Sequence, residues 1–314
     1  MSDQKIPLIT VGIPAYNSGE YLAPAVQSVL DQSYQNLEVL ILDNCSTDTT
    51  KSLGETFQKL DGRVRYIRHP ENIGWINNFN LIPTLATGEY VLYFADDDLY
   101  DVDYIKLLYH EFVKDPSLKI AIGSIELIEL DGRHKKSINS FNEAHVLSTA
   151  GMSDVERVSN FIRFGHFREW SWSINLALHR RETMIKHPFN TKLIDPGTLF
   201  NRSIIFEGNV GFNPQAKFYK RVGGFSGGEN YGRYKETIKT KFDDVKNEFL
   251  QLLFESRLIM SSKFNGQDYR RILICFCKYR MPVLLKRNFL FSLSFFSFLL
   301  IKEPRRILKS LIAK

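Results

Sequence analysis

Three consecutive carboxylates, Asp96-Asp97-Asp98, directly follow the apolar run at residues 90–94. A short run rich in aromatic and β-branched residues predicts a buried strand, so the three acids lie where that strand ends. Like charges at such a place repel one another unless a cation or solvent compensates them, and hard divalent cations prefer carboxylate and phosphate oxygens. The triplet therefore indicates either a divalent-metal site or one helix-capping Asp beside two solvated ones.

Polar segments also follow three other predicted strands. Residues 14–17 follow the first apolar run, residues 43–48 the second and residues 69–74 the third. Ligands of open α/β sheets bind beyond the carboxyl ends of the strands, so these segments predict one common crevice. Neither G-x-G-x-x-G after the first strand nor G-x-x-x-x-G-K-[ST] is present, which argues against dinucleotide dehydrogenases and P-loop NTPases.

The elements that position these segments alternate along the first 130 residues. Apolar runs predict strands at 8–13, 38–43, 64–67, 90–94 and 119–122, and the stretches between them predict crossover helices at 20–32, 48–60, 75–86 and 102–114. Asn17 with Glu20 resembles a capping box for the first helix, and Thr47 or Asp48 can cap the second. Because the early strands are continuously apolar, they predict a parallel sheet that is covered on both faces.

Composition and charge are those of an ordinary globular chain. The 314 residues are 44% hydrophobic and 24% charged, which excludes disordered, collagen-like and coiled-coil classes. The net charge of +6 divides into +8 for residues 278–314 and −2 for the rest, so we expect no nucleic-acid partner. Three cysteines are too few for a disulfide framework, and no secretory signal opens the sequence, which predicts a cytoplasmic location.

The order of the strand-end motifs carries a family resemblance. The motifs are Ile13-Pro-Ala-Tyr-Asn17, Ser28-Val-Leu-Asp-Gln-Ser-Tyr34, Leu42-Asp-Asn-Cys-Ser-Thr-Asp-Thr49, Asn72-Ile-Gly74 with Asn78 and Asn80, and Gly88-Glu-Tyr90 leading into Asp96-Asp-Asp-Leu99. In this combination the chain resembles the family-two, A-type inverting glycosyltransferases, strongly over about residues 7–130 and more weakly to about 230. The resemblance implies an α/β fold, a single nucleotide-binding A-type glycosyltransferase domain with a mixed, mainly parallel sheet, plus a helical C-terminal extension.

The resemblance also implies a division of the chain and an activity. Residues 1–130 would form the nucleotide-sugar-binding half, 131–232 the acceptor-binding half of the same catalytic domain, and 233–314 a helical region with a basic, apolar tail. The implied enzyme uses Mn²⁺ or Mg²⁺ and moves one sugar from a nucleotide-diphosphate sugar to a glycan or lipid-linked acceptor in surface polysaccharide biosynthesis. Processive synthases of the family carry Gln-x-x-Arg-Trp, which this sequence lacks, so single addition is favoured.

Matches to the family's motifs assign the part of the donor site around the base. Pro14, Ala15 and Tyr16 match the loop that packs around the nucleotide base, and Asp43 matches the acid that accepts a hydrogen bond from it. Simple core packing is the alternative for Tyr16. Asp48 is expected to be a helix cap and no more.

The ribose and metal positions follow from the later motifs. Asn72 and Asn78 are expected polar contacts, although Asn also serves turns and caps. Asp96 matches the carboxylate near the ribose. Asp98 matches the metal ligand, or Asp97 does if the frame shifts by one residue, and the three consecutive acids leave both frames open.

Inverting transfer also needs a base that removes the proton of the acceptor hydroxyl. In the family this base is an acid before an apolar helix, which is followed by a strand that ends in Tyr-Arg. Asp195 matches it, ahead of residues 199–205 and of Phe218-Tyr-Lys-Arg221. Ile194 stands where a first acid is usual, and the His that often follows Tyr-Arg is absent, so a structural Asp before Pro196 is the alternative.

The apolar run at residues 289–301 has basic residues on both sides. Thirteen residues at about 1.5 Å each reach about 20 Å, which is short of the ~30 Å hydrocarbon core of a bilayer. Basic flanks and aromatic residues favour a helix that lies on an anionic membrane surface, and a buried core helix is the alternative. The prediction is a protein that is peripheral on the inner face of the cell membrane.

Two other function classes compete with the glycosyltransferase interpretation. A nucleotidyltransferase would share the nucleotide-binding half and the acidic ligands, but it needs a Gly-rich, basic phosphate loop that residues 14–17 do not provide. A non-catalytic nucleotide-binding or glycan-binding protein is the second alternative, and the intact acidic cluster argues against it.

Overall fold

The computed structural model describes residues 6–134, 148–164, 176–189 and 196–222, with short pieces at 267–268 and 271–272. In chain order these residues form β1 (Ile9–Ala15), α1 (Leu22–Leu30), β2 (Leu37–Asp43), α2 (Thr50–Leu60), β3 (Val64–Arg68), α3 (Trp75–Leu85), β4 (Tyr90–Tyr93), β5 (Leu99–Tyr100), α4 (Tyr104–Lys114), β6 (Ile120–Ile128), α5 (Asp154–Phe164), β7 (Leu178–Arg180), α6 (Arg181–Lys186), α7 (Pro196–Glu207) and β8 (Val210–Arg221).

The strands form one sheet in the order β3-β2-β1-β4-β7-β6-β8-β5. β1 runs parallel to β2 and β4, and β2 runs parallel to β3, as the alternating pattern of the first 130 residues predicts. β7 is antiparallel to β4 and β6, β5 is antiparallel to β8, and β6 runs parallel to β8. The prediction of a mixed, mainly parallel sheet is confirmed. Because β5 pairs with β8, the end of β8 lies beside the segment that follows β4.

Helices cover both faces of the sheet, because the strands carry apolar side chains on both. Val39 and Ile41 of β2 join the core under α1 and α4, whereas Leu40 and Leu42 join the core under α3, α6 and α7. Successive side chains of a strand point to opposite faces, so a continuously apolar strand supplies both cores. Each of these aliphatic side chains is fully buried, which contributes about 1.5–3 kcal/mol per side chain.

Gly12 lets α3 pack unusually close to β1. A Cβ atom on Gly12 would lie 2.2 Å from Cγ2 of Ile82, which is closer than any side chain permits. Glycine inside a strand is normally a weakness, and here it is the condition for the contact between strand and helix. The close contact places the first turn of α3, which begins at Trp75, near the carboxyl ends of the strands.

The predicted helix caps have different outcomes. The capping role of Asn17 is wrong: α1 begins at Leu22, and Asn17 has a positive φ of 54° with its Oδ1 accepting a hydrogen bond from the Thr47 N–H at 2.8 Å. Its amide therefore joins two loops. Asp48 does cap the start of α2, since its Oδ1 accepts a hydrogen bond from the N–H of Thr50, the first residue of α2, at 2.9 Å. The prediction that it does no more is wrong, because its Oδ2 accepts one from the Gly19 N–H at 2.9 Å.

Most of the predicted C-terminal extension lies outside the described residues. Of residues 233–314 the structure describes only the two helical pieces at 267–268 and 271–272, so the apolar run at 289–301 is not among them. Among the helices that are described, none is both long enough and apolar enough to span a bilayer.

Candidate active site

Asp43 ends β2 and is completely buried. Its Oδ1 accepts hydrogen bonds from Ser46, from the main-chain N–H at 2.8 Å and from the hydroxyl at 2.5 Å. Its Oδ2 accepts one from the Tyr66 hydroxyl at 2.5 Å, and Arg68 Nε lies 3.5 Å away. Burial and the hydrogen bond to Asp43 raise the pKa of Tyr66. Both oxygens are thus engaged, and the hydrogen bond to a nucleotide base that the sequence predicts for Asp43 stays a prediction.

The loop after β1 presents one aromatic surface to solvent. Pro14 is half-buried and Ala15 is buried, whereas Tyr16 is 40% exposed. Core packing therefore does not account for the Tyr16 ring. The loop itself is fixed from behind, because the Ser18 N–H donates to Thr50 Oγ1 at 2.8 Å. A fixed loop with an exposed ring is suited to stacking on a flat ligand.

Asp96 is held by the same loop. The Ser18 hydroxyl donates a short hydrogen bond to its Oδ2, and the Ser18 Oγ accepts one from the Tyr16 N–H at 3.1 Å. Burial and the neighbouring Asp97 raise the pKa of Asp96 to about 7, against the lowering effect of the Ser18 hydroxyl. Asp96 and Tyr16, which the sequence assigns to the same ligand, therefore lie together.

Asp98 faces the other way, towards the end of β8. It is completely buried, its Oδ1 accepts a hydrogen bond from the Arg221 N–H at 2.8 Å, and Lys220 Nζ lies 3.6 Å from its Oδ2. Burial raises the pKa of Asp98 to about 6, the ammonium of Lys220 lowers it, and the charge of Asp97 raises it. Asp98 Oδ2 is buried and accepts no hydrogen bond in the described part of the chain, which suits a cation, whereas the Lys220 ammonium 3.6 Å away would repel one. Both Asp98 and Asp97 therefore stay predicted metal ligands.

Asp97 stands between these two neighbours. Asp97 is only 3% exposed, and its main-chain carbonyl accepts a hydrogen bond from Arg221 Nε at 2.8 Å. In the described part of the chain no three His, Cys, Asp or Glu side chains converge as an all-protein metal site requires. Magnesium-type sites often use only one or two carboxylates plus substrate phosphates, and Asp96 and Asp97 fit that smaller requirement.

The two asparagines that the sequence assigns to the donor site form hydrogen bonds within the protein in this structure. Asn78 is 2% exposed: its Nδ2 donates to the Leu42 carbonyl at 3.0 Å, and its Oδ1 lies 2.9 Å from His69 Nε2. Asn72 is exposed, and its Oδ1 accepts a hydrogen bond from Asn44 Nδ2 at 2.9 Å. Both side chains shape the loops after β2 and β3, and their predicted contact with a donor stays a prediction.

Asp195, the predicted base, lies outside the described residues, but the helix that follows it is present. α7 begins at Pro196, and the Phe200 ring stacks on Phe189 with centroids 4.5 Å apart. Asn80 fixes that neighbour from α3, since its Nδ2 donates to the Phe189 carbonyl at 2.9 Å and its Oδ1 accepts from the Phe189 N–H at 2.8 Å. The start of α7 is therefore anchored on the face of the sheet that carries α3.

Sequence reasoning missed the side chains that hold the acids. Tyr66 and Arg68 on β3 contact Asp43, and Ser18 contacts Asp96. No motif singles these residues out. Lys220 and Arg221 are different, because they belong to the Tyr-Lys-Arg segment that matches the family's strand end, although the match does not say that they contact residues 97 and 98.

The model of the protein family described as Glycosyl transferase family 2 matches residues 10–201, more than half of the chain. The chain belongs to glycosyl transferase family 2. The matched range begins in β1, includes the strand ends that carry Asp43 and Asp96–Asp98, and stops in α7. Family membership confirms the resemblance that the five motifs indicate.

Curated relatives match over about two fifths of the chain. Glycosyltransferase GlyG of Streptococcus pneumoniae is 33% identical over 117 residues, which are 37% of this chain and 38% of that protein. The teichuronic acid biosynthesis glycosyltransferase TuaG of Bacillus subtilis, itself described as putative, is 33% identical over 126 residues, 40% of this chain and 50% of that protein. The matches thus span half or less of these relatives.

Solved structures share the fold over a longer stretch. The S. aureus TarS structure in complex with UDP-GlcNAc covers 86% of this chain with a TM-score of 0.60 and 16% identity, and 73% of that chain is matched. The mannosyltransferase PcManGT from Pyrobaculum calidifontis, in complex with GDP-Man and Mn²⁺, covers 99% of this chain with a TM-score of 0.57 and 16% identity, and 89% of that chain is matched. At this identity the likeness concerns the fold, which is that of A-type glycosyltransferases.

Proposed function

We propose that this protein is a metal-dependent, inverting glycosyltransferase that adds a single sugar from a nucleotide-diphosphate sugar to a glycan or lipid-linked acceptor in surface polysaccharide biosynthesis. The observation that carries the proposal is the meeting of Tyr16, Asp43 and the acids 96–98 at the carboxyl ends of β1, β2 and β4. Family membership, the sugar nucleotides bound by TarS and PcManGT, and the polysaccharide-related name of TuaG support it.

The donor occupies the crevice above these strand ends. The Tyr16 ring stacks on the base, Asp43 with Arg68 lies at its edge, and Asp96 accepts hydrogen bonds from the ribose hydroxyls. Asn72 and Asn78 shape the loops around the base. The proposal takes Asp97, rather than Asp98, as the metal ligand, because Asp98 Oδ2 already faces the Lys220 ammonium at 3.6 Å. When bound, Mn²⁺ or Mg²⁺ neutralises the charge of the leaving diphosphate.

Asp195 acts as the base. It accepts the proton of the acceptor hydroxyl while that oxygen attacks the anomeric carbon from the side opposite the diphosphate, so the configuration at this carbon inverts. The position before α7 supports this role, since the helix start is anchored by Phe200 and Phe189 on the same sheet that holds Asp96.

A donor screen tests the proposal. The full chain is incubated with a panel of UDP-, GDP-, ADP- and CMP-linked sugars, with Mn²⁺, with Mg²⁺ or with EDTA, and released nucleotide is measured. We expect one class of nucleotide-diphosphate sugar to release nucleoside diphosphate only when metal is present. Release of CMP from the CMP-sugar would contradict a diphosphate donor. In a parallel assay with added pyrophosphate, formation of a nucleoside triphosphate and a sugar 1-phosphate from the donor would instead identify a nucleotidyltransferase. Binding without turnover of any donor would identify a binding protein.

The proposed location is the cytoplasmic face of the cell membrane, through the apolar run at 289–301 and its basic flanks. Truncation after Arg280 removes seven of the nine basic residues that follow residue 277, so the truncated protein should no longer bind anionic vesicles. Flotation with vesicles of anionic and of neutral lipids at low and high salt measures this. A full-length chain that ignores anionic vesicles at low salt would show that the run packs within the protein.

A further inference from the structure

Arg221 links three segments of the candidate site. Its Nε donates to the carbonyl of Asp97 at 2.8 Å, and its Nη1 donates to the Glu129 carbonyl at 3.3 Å and to the Leu130 carbonyl. Its guanidinium carbon lies 5.2 Å from the centroid of the Tyr21 ring, directly ahead of α1. Arg221 is only 6% exposed, so these contacts are made in a region from which water is largely excluded.

The main chain of Arg221 adds a further contact to the same acids. Its N–H donates to Asp98 Oδ1 at 2.8 Å, so one residue of β8 fixes the carbonyl of Asp97 and the side chain of Asp98 together. The acid segment has little regular structure of its own, because it connects β4 to the two-residue strand β5. The contacts from β8 fix this segment on one side, and the contact of Ser18 with Asp96 fixes it on the other.

We infer that Arg221 is a positioning residue, which orients the Asp97 carboxylate towards the metal and donor diphosphate by holding the Asp97 carbonyl. The inference rests on the proposed function and adds to it the residue that sets the geometry of the metal ligand. Groups that orient a metal ligand typically change metal affinity by about 10–100-fold when they are removed, although they do not touch the metal. The guanidinium fork is required because a lysine ammonium cannot reach two carbonyl groups and cover an aromatic face at once.

Arg180 offers a matched control in the same sheet. Its Nε donates to the Leu118 carbonyl at 2.9 Å and its Nη2 to the Pro116 carbonyl at 2.7 Å. Its guanidinium carbon also lies 5.4 Å from the centroid of the Tyr90 ring. Arg180 thus makes the same kinds of contact as Arg221, but it lies at the amino end of β4, away from the acids at the carboxyl end.

The test measures binding of Mn²⁺ together with UDP, GDP, ADP or CDP by calorimetry, for wild type, Arg221→Lys and Arg180→Lys. We expect Arg221→Lys to raise the Kd of the Mn²⁺-nucleotide by about tenfold or more, and Arg180→Lys to leave it within about twofold, while the melting temperatures of both variants fall. Equal Kd values for the two variants would overturn the inference. A wild-type chain that binds none of the four nucleotides with Mn²⁺ would instead refute the proposed function, and the inference with it.

A milder pair of variants protects the test against misfolding of Arg221→Lys. Tyr21→Leu removes the ring under the guanidinium, whereas Tyr21→Phe keeps it. Tyr21→Leu should weaken Mn²⁺-nucleotide binding by about threefold and Tyr21→Phe should not change it, because only the leucine variant removes the aromatic face that the guanidinium contacts. If both Tyr21 variants bind the Mn²⁺-nucleotide like wild type, the position of the Arg221 guanidinium does not affect Asp97, and the inference is wrong.

Discussion

The candidate site is formed by two regions of the molecule, and each region fixes its acids in a different way. Asp43 is fixed by residues close in sequence: Ser46 lies three positions away and Tyr66 lies 23 positions away, on the next strand of the parallel unit. Asp97 and Asp98 are fixed by Arg221, which lies 124 and 123 positions away and arrives through β8. The end of the candidate site that we propose for the nucleotide base (the base end) is therefore built within one βαβ unit. The end that we propose for the phosphates (the phosphate end) also needs the pairing of β6 with β8.

The two ends also differ in which strand pairings must form first. The contacts of Asp43 form as soon as β2 and β3 pair, whereas those of Asp97 and Asp98 require β6 and β8 to pair in register across the bulge between Gly123 and Ser124. Contacts of long sequence separation carry the larger loop-closure cost. We therefore expect the contacts of Asp43 to form earlier in folding than those of Asp97 and Asp98.

The largest effect is expected from Asp195→Asn in the acceptor half. The amide keeps the shape of the side chain and removes its basicity, so the transfer rate should fall by about 10²- to 10⁴-fold while donor binding is retained. Single-turnover transfer and donor calorimetry on the same sample measure both. Retained transfer with lost donor affinity would show that Asp195 contacts the donor and is not the base.

Asp97→Asn should have the next largest effect, through the donor half. Removal of one charged group that stabilises the leaving diphosphate should lower the transfer rate by about 10²- to 10³-fold and weaken metal-dependent donor binding. The metal concentration that gives half-maximal activity measures this. Asp31→Asn is the control, because Asp31 is exposed at the end of α1 and accepts a hydrogen bond from Gln27.

Asp98→Asn should separate structure from catalysis at the phosphate end. The variant keeps an acceptor for the Arg221 N–H but turns an amide donor or a neutral oxygen towards Lys220, so we expect a loss of about 3 kcal/mol in the free energy of unfolding. Mutual repulsion of three consecutive acids would by itself leave the fold nearly intact when one is removed, but the buried contacts of Asp98 argue otherwise. Urea unfolding measures the loss.

Transfer by folded Asp98→Asn should stay within about tenfold of wild type, because the charge of Asp97 is retained. An Asp98→Asn protein with wild-type stability and no activity would reverse the assignment of the two acids. The metal ligand would then be Asp98.

The smallest effect concerns the pH dependence of stability. Folding raises the pKa of Asp96 from 3.8 to about 7, so between these values the folded state binds more protons than the unfolded state. The free energy of unfolding of wild type should therefore fall as pH rises from about 4 to about 7. Asp96→Asn should show a smaller fall, because it removes the contribution of Asp96 and keeps that of Asp98, whose pKa is raised to about 6. Urea unfolding at several pH values checks this, and identical slopes would contradict it.

The sequence alone predicted most of the fold of the first 130 residues. Runs of β-branched and aromatic residues determine where β1 to β4 lie, and a parallel sheet places all their carboxyl ends at one edge, so residues 14–17, 43 and 96–98 had to meet. The order of the motifs was enough to identify the family.

Only the tertiary structure decided which way each acid points. Asp96, Asp97 and Asp98 are chemically identical and consecutive, and nothing in their own segment distinguishes a ribose contact from a metal ligand or a buried partner of Lys220. The distinction comes from Ser18 on one side and from Arg221 on the other. The orientation of a side chain depends on its neighbours in space, and at this end of the site those neighbours arrive more than 120 residues later, through strand pairings that local patterns do not encode.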